Sequence, residues 1–427
     1  MQLIPTTAVC FALCLPLAAQ VAGSTTGKHV QAPRVVDTVF KNAGFIVSLQ
    51  PGVDPVQFTS DWGLQVNGVL PLDAAFKVAG TSTKVRQSGA ELLNAIALDV
   101  RTRYAEPNRL LRSPEGQACM APGSVSGLPC TISFYDGNPT PQKYYDQPLG
   151  PVIDLGGAQA YLTGAACLVA VIDTGIDATH PLLAEHIANP GYDFILDQVG
   201  AVDAPDGLDN DLDGLTDEAT GHGTHIAGTI VLVNPDAMIL PIRVLDSDGN
   251  GYSYQVAEAI YFAIGNGAQI INLSLGMSTP SQAVIDALDF AHEMEVEVYA
   301  AAGNTGKLGA QFPASYPTVL SVAAVDQNDV RASFSTYGPT VNVSAPGVDI
   351  YSSMPGNAWA WWSGTSMATA VASGVGSMLI SIEGHGGDGP EEIVDNSASI
   401  DHANPGIAHL LGSGRIDAGA TISEVND

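Results

Sequence analysis

Apolar positions fall into two patterned regions separated by a stretch without pattern. From residue 151 onward, nearly continuous apolar runs recur at 168–175 (LVAVIDTG), 237–244 (AMILPIRV), 268–276 (AQIINLSLG), 297–304 (EVYAAAGN) and 319–326 (VLSVAAVD). Runs without a polar face are those of parallel strands covered on both sides. Helical patterns lie between them at 222–233, 253–267 and 281–296. The alternation predicts a doubly wound, mostly parallel α/β domain over 151–427. Ligands of such sheets bind beyond the carboxyl ends of the strands, where Asp173, Ser274 and Asn304 fall.

The earlier region reads differently. Strand patterns at 45–49 (FIVSL), 74–80 (AAFKVAG) and 103–108 (RYAEPN) alternate with a helix and turn over 56–68 and an amphipathic helix over 91–101. This predicts a small α+β module of β-α-β-β-α-β, ferredoxin-like type. Residues 114–150 are rich in Gly, Pro and Ser and read as a linker or exposed loop. Neither internal repeats nor coiled-coil heptads occur.

Charge narrows the partners. Fifteen basic and 44 acidic side chains give a formal net charge of −29. Such a chain repels nucleic acid and anionic lipid. After Lys143 the only basic side chains are Arg243, Lys307, Arg331 and Arg415. The acidity is read first as solubility, and only second as a preference for basic substrates. Residues 7–22 are a short apolar run ending in small residues, shorter than the ~20 residues of a membrane span. They read as a secretory signal covering 1–23, and no later stretch is read as a membrane anchor. Cys119 and Cys130 flank a Gly/Pro-rich loop and can pair if the compartment is oxidising. Cys167 lies in an apolar run and reads as a buried thiol, and nothing suggests zinc.

Three segments carry chemistry: VAVIDTGID around Asp173, GHGTHIAGT around His222 and SGTSMATAVASG around Ser366. A serine hydroxyl needs an adjacent base, and a neutral imidazole suits that task. The imidazolium that forms needs a buried carboxylate to fix its tautomer and balance its charge. Ser366 precedes a helical stretch whose N-terminus offers free N–H groups to a developing oxyanion. Singly, each segment would read as a turn, a core histidine or a helix cap. His225 is read as such a structural histidine.

Together, and in the order Asp, His, Ser, these segments resemble the subtilisin-like serine proteases, the subtilases, over roughly residues 145–425. The resemblance implies secreted endopeptidase activity on proteins or peptides, with no cofactor needed for catalysis. It implies that Asn304, in an AAGN segment, is the second oxyanion donor. An extended substrate would lie between Ser274-Leu275-Gly276 and Gly249-Asn250-Gly251, with Gln311 at the base of the main pocket. Trp362 would line the leaving-group side, or else simply pack on its loop. Residues 24–113, with FIVSLQPG and YAEPN, resemble the family's inhibitory propeptide. Maturation would fall within 114–150.

Residues 209–218 (DNDLDGLTDE) resemble a calcium loop, with Asp209, Asp211, Asp213 and Asp217 at positions 1, 3, 5 and 9 and Gly214 at position 6. Thr220 stands where a standard EF-hand has Glu. The loop is thus not a standard EF-hand, and a structural calcium is expected beside the His222 segment, with an acidic solvated loop as the alternative. The alternative to an enzyme is a catalytically inactive subtilase-like binding protein, which would lack a triad or oxyanion residue. A lipase-type hydrolase would need a G-x-S-x-G elbow, whereas Ser366 stands in GTSMA.

Overall fold

The structure, a computed structural model, describes residues 44–71, 75–78, 89–116, 134–135, 141–384 and 388–426. The candidate signal, Cys119, Cys130 and much of the candidate maturation region lie outside the described residues.

The N-terminal unit consists of β1 (Phe45–Leu49), helix Pro55–Trp62, β2 (Val66–Val69), β3 (Phe76–Val78), helix Gly89–Ala97 and β4 (Thr102–Pro107). Its sheet has the order β2-β3-β1-β4, with antiparallel pairs throughout. Helix Pro55–Trp62 starts where Asp54 accepts the Val56 N–H (2.9 Å) and stops at Gly63, in the left-handed region at φ 62°. Phe45, Val47, Phe58, Phe76, Leu92 and Ile96 close a small core. Ile46, on the other face of β1, joins Leu70, Ala75 and Leu111 against the larger unit.

The chain then forms β5 (Leu110–Arg112) and β6 (Phe134–Tyr135) before entering the larger unit. That unit is built on β7 (Leu168–Asp173), β8 (Tyr192–Asp193), β9 (Gln198–Val199), β10 (Met238–Arg243), β12 (Ile270–Leu273), β13 (Glu297–Ala301), β14 (Leu320–Val325) and β15 (Val343–Pro346). The sheet order is β15-β14-β13-β12-β7-β10-β8-β9, parallel except for the β8–β9 edge pair. Strand β11 (Asn250–Tyr252) stands apart and pairs with β5, while β16 (Ile350–Met354) and β17 (Ala358–Trp362) form a hairpin extended by β6.

The continuous apolar runs have a simple cause. In β7, Val169 and Val171 enter the layer that holds helices His222–Val233 and Thr365–Glu383. Ala170 and Ile172 enter the layer that holds helices Ser253–Gly265 and Gln282–Glu293. Both faces are covered, so both parities are apolar. The chain order reverses around β7, which has β12 on one side and β10 on the other. A crevice therefore opens at its carboxyl end.

Thr365–Glu383 is long and apolar enough to cross a membrane by length and composition. Its window is 94% buried inside the unit, where the core takes up its apolar side chains.

The N-terminal unit docks on two helix starts. The Glu106 carboxylate accepts from Ser281 Oγ (2.8 Å) and from the N–H groups of Gln282 and Ala283 (both 3.0 Å). Asn108 Oδ1 accepts from the Tyr254 N–H (2.9 Å) and Ser253 Oγ (3.2 Å). Arg103 pairs with Asp286 at 2.6 Å.

Candidate active site

Asp173 ends β7, and its Oδ1 lies 2.7 Å from His222 Nδ1. His222 opens its helix after Gly221, whose φ of 94° suits glycine. Asp203 completes that helix start, accepting from the Gly221 N–H (2.9 Å), the Thr224 N–H (3.2 Å) and Thr224 Oγ1 (2.6 Å). Burial raises the Asp203 carboxyl to about 6, against these bonds. Thr174 Oγ1 accepts the Gly223 N–H (3.0 Å), which ties the two segments together.

Ser366 sits in the first turn of Thr365–Glu383, fully buried. Asn304 follows β13. Its Oδ1 accepts from the Thr365 N–H (3.0 Å) and Thr365 Oγ1 (2.8 Å), which leaves its Nδ2 to donate to the Glu115 carboxylate. The orientation of the amide is thus set by the residue preceding the candidate nucleophile.

All three groups meet on a residue that sequence reasoning missed. The Glu115 carboxylate accepts from Ser366 Oγ (2.8 Å), faces His222 Nε2 at 3.0 Å and accepts from Asn304 Nδ2 (3.0 Å). Asp173 and His222 pair directly, whereas His222 and Ser366 are both engaged by the same Glu115 oxygen. Burial opposes a charge on His222, but the Asp173 and Glu115 carboxylates outweigh it and carry its pKa up to about 10. Its two ring nitrogens each face one of these carboxylates. His225, by contrast, is pushed down to about 3 by burial and by the nearby His222. It donates from Nε2 toward the carbonyls of Ile350 and Ala360 (3.1 and 3.3 Å), as expected of a structural histidine.

The chain's own residues 110–113 lie between the two backbone segments named as candidate walls. Leu110–Arg112 pairs antiparallel with Asn250–Tyr252. The Arg112 N–H donates to Gly276 C=O (3.0 Å), the Gly276 N–H returns to Arg112 C=O (2.9 Å), and the Ser113 N–H donates to Gly249 C=O (2.9 Å). A Cβ at Gly251 would meet the Val244 carbonyl oxygen. Ser274 Oγ donates to Ser366 C=O (3.2 Å). The Leu275 side chain turns into the core, so only its backbone belongs to the wall. Gln311 fills the space left by the missing side chains of Gly276 and Gly303, and its buried Nε2 has no partner. Trp362 packs edge-to-face on His222, with ring centroids 5.3 Å apart. A 600 Å³ cavity lined by Leu149, Val348 and Trp361, among others, involves none of these groups. Cys167 is buried and free.

The clustered acids differ from the candidate metal set, with Asp217 absent and Glu218 and Asp248 present. Two carboxylate groups have ligand atoms mutually within 4.8 Å: Asp209, Asp211 and Asp213, and Asp211, Glu218 and Asp248. Asp217 belongs to neither. Its backbone is left-handed (φ 59°), and its carboxylate accepts the N–H groups of Asp206 (2.8 Å) and Gly207 (3.1 Å). Glu218 Oε2 is buried without a partner, and burial with neighbouring Asp248 pushes its carboxyl up to about 7. Clustered acids with an orphaned buried oxygen fit a hard divalent cation with oxygen ligands.

In comparisons with known proteins, residues 164–412 match the sequence model of the Subtilase family. A thermophilic serine proteinase of Bacillus sp. (strain AK1) is 42% identical over 223 residues, 50% of this chain and 52% of that protein. A thermostable alkaline protease of Halalkalibacterium halodurans is 43% identical over 225 residues, 51% of this chain and 57% of that protein. Thermitase of Thermoactinomyces vulgaris is 37% identical over 245 residues, covering 55% and 82% respectively. The chain spans about half the length of the first two of these relatives.

Proposed function

Since the chain belongs to the subtilase family, we propose that it is the precursor of a secreted serine endopeptidase, with its cleft occupied by its own N-terminal segment. The observation that carries this reading is the convergence of Ser366 Oγ, His222 Nε2 and Asn304 Nδ2 on one carboxylate, with Asp173 behind the imidazole. A carboxylate held by those groups occupies the place of a reacting carbonyl. Residues 1–23 would be the signal, 24–113 the inhibitory propeptide and 114–150 the region of maturation.

Once residues 110–116 leave, a peptide takes their place between Gly249–Gly251 and Ser274–Gly276 by backbone pairing. Without the Glu115 charge, His222 returns toward neutrality and takes the proton of Ser366 as the hydroxyl attacks the carbonyl carbon. Asp173 holds the Nδ1–H and balances the imidazolium. Asn304 Nδ2 donates to the oxyanion. His222 then protonates the leaving amine, and water attacks the acyl-Ser366 ester by the same steps in reverse. Calcium, held by Asp211 with Glu218 and Asp248 or with Asp209 and Asp213, would supply structural charge balance to the loop before His222.

Ser366→Ala tests the reading. Peptide hydrolysis should fall by about 10⁶-fold, the scale known for this change in subtilisin itself. Phosphonate labelling should vanish, and the secreted chain should keep its N-terminal unit. Retained turnover or normal maturation would refute it.

A further inference from the structure

Arg112 occupies the cleft as a substrate residue would, and its side chain has a partner. Its Nη1 lies 3.1 Å from Asp211 Oδ2, with the Arg112 side chain 34% and that of Asp211 only 6% exposed. Asp211 comes from the acidic loop before His222, a different element from the two walls that pair with the peptide backbone. We infer that Asp211 makes the cleft selective for a basic side chain at the third residue before the scissile bond. This rests on the peptidase reading above and names the substrate class of the same site.

The register gives the position. Arg112 is paired through both backbone groups to Gly276, Ser113 is paired to Gly249, and Glu115 already touches Ser366. The residue after Ser113 is therefore the one that a substrate would present to the nucleophile. The electrostatics give the sign. Asp211 lies within ligand distance of Asp209 and Asp213 on one side and Glu218 and Asp248 on the other. With Arg112 in place the Asp211 side chain is largely covered, and a guanidinium meets a carboxylate with directed hydrogen bonds even where a cation shares the acidic cluster. The larger unit has only Arg243, Lys307, Arg331 and Arg415 to oppose its acids, so its field draws cationic peptides toward the cleft. The contact also explains how a cleft that reads mainly backbone can discriminate at this position.

The test uses the mature protein released from the full chain, at one fixed calcium concentration. Peptides identical except for Arg, Gln or Glu at that position are compared, with the cleaved bond located by mass spectrometry. Wild type should favour Arg over Gln by roughly two- to fivefold in kcat/KM, the scale of one partly exposed ion pair. Glu should be the poorest. Asp211→Asn should bring the Arg/Gln ratio to about one, and Asp211→Lys should invert the order of Arg and Glu. Should either variant fail to fold, the wild-type ratio is measured in low and in ~1 M salt, where screening should abolish it. Cleavage of all peptides with equal efficiency, or a ratio indifferent to both Asp211 and salt, would overturn the inference alone. Failure of wild type to cleave any peptide would instead tell against the peptidase reading.

Discussion

The N-terminal unit and the sheet unit differ in how much of their own interior they supply. Among the described residues, the first closes nine buried apolar side chains around Phe58 and turns Ile46, Leu70 and Ala75 outward onto its neighbour. The second fills two layers, one on each face of an eight-stranded sheet, and buries the Thr365–Glu383 helix along nearly its whole length. Small domains bury a smaller fraction of their chain and are marginal alone. The lesson is that the candidate triad and the segment lying across it sit on unequal foundations. Asp173, His222 and Ser366 are fixed by a deep core, and residues 110–116 follow a unit held by a shallow core and by docking.

The largest expected effect separates the two cores. Phe58→Ala, made in the Ser366→Ala precursor to prevent processing, should cost about 3–5 kcal/mol within the N-terminal unit. Hydrogen exchange should quicken in β1 and β4 and leave β7 and β12 protected. Uniform quickening across both units would break the comparison. Next comes Asn304→Ala, which acts in the robust unit alone. Turnover should fall about 10²–10³-fold, as for the corresponding donor of subtilisin, with KM little changed. A rise in KM at constant kcat would assign Asn304 to substrate binding instead. The smallest effect concerns the junction. His222 is raised above its free value, so its contribution to the closed precursor is complete below about pH 6.5 and is lost as pH rises through about 10. The melting temperature of the Ser366→Ala precursor should therefore fall between those values. Glu115→Gln removes one of the two carboxylates and should make that fall smaller and shift it to lower pH. An unchanged profile would remove Glu115 from the account.

The sheet was legible because both faces are covered: five apolar runs in sequence became β7, β10, β12, β13 and β14, and three helical patterns became the helices between them. The short strands β15 to β17 were not, since four or five residues among Ser, Gly and Trp carry no distinctive period. Asp173, His222, Ser366 and Asn304 were legible because each stands in a motif whose neighbours have a backbone task. Glu115 carries no such mark. It is one acid in a Pro/Gly-rich segment, and only the path of 110–116 through the cleft brings it to His222, Asn304 and Ser366. Asp203 was missed for a related reason, because a cap 18 residues before Gly221 leaves no local spacing. The exchange of Asp217 for Glu218 and Asp248 turns on a left-handed backbone and a distant loop, neither of which ligand spacing encodes.

The helices Ser253–Gly265 and Gln282–Glu293 receive no side-chain cap from their own flanking residues, Tyr252 and Ser281. Asn108 and Glu106 do that work from across the junction. Each helix start carries partial positive charge that water solvates less specifically than a carboxylate or amide does. These two borrowed caps favour the arrangement in which both helix starts meet β4 and the residues just after it. On the reading proposed above, removal of the N-terminal unit would leave these amides to solvent, and refolding from the unfolded state would have to proceed without the borrowed caps.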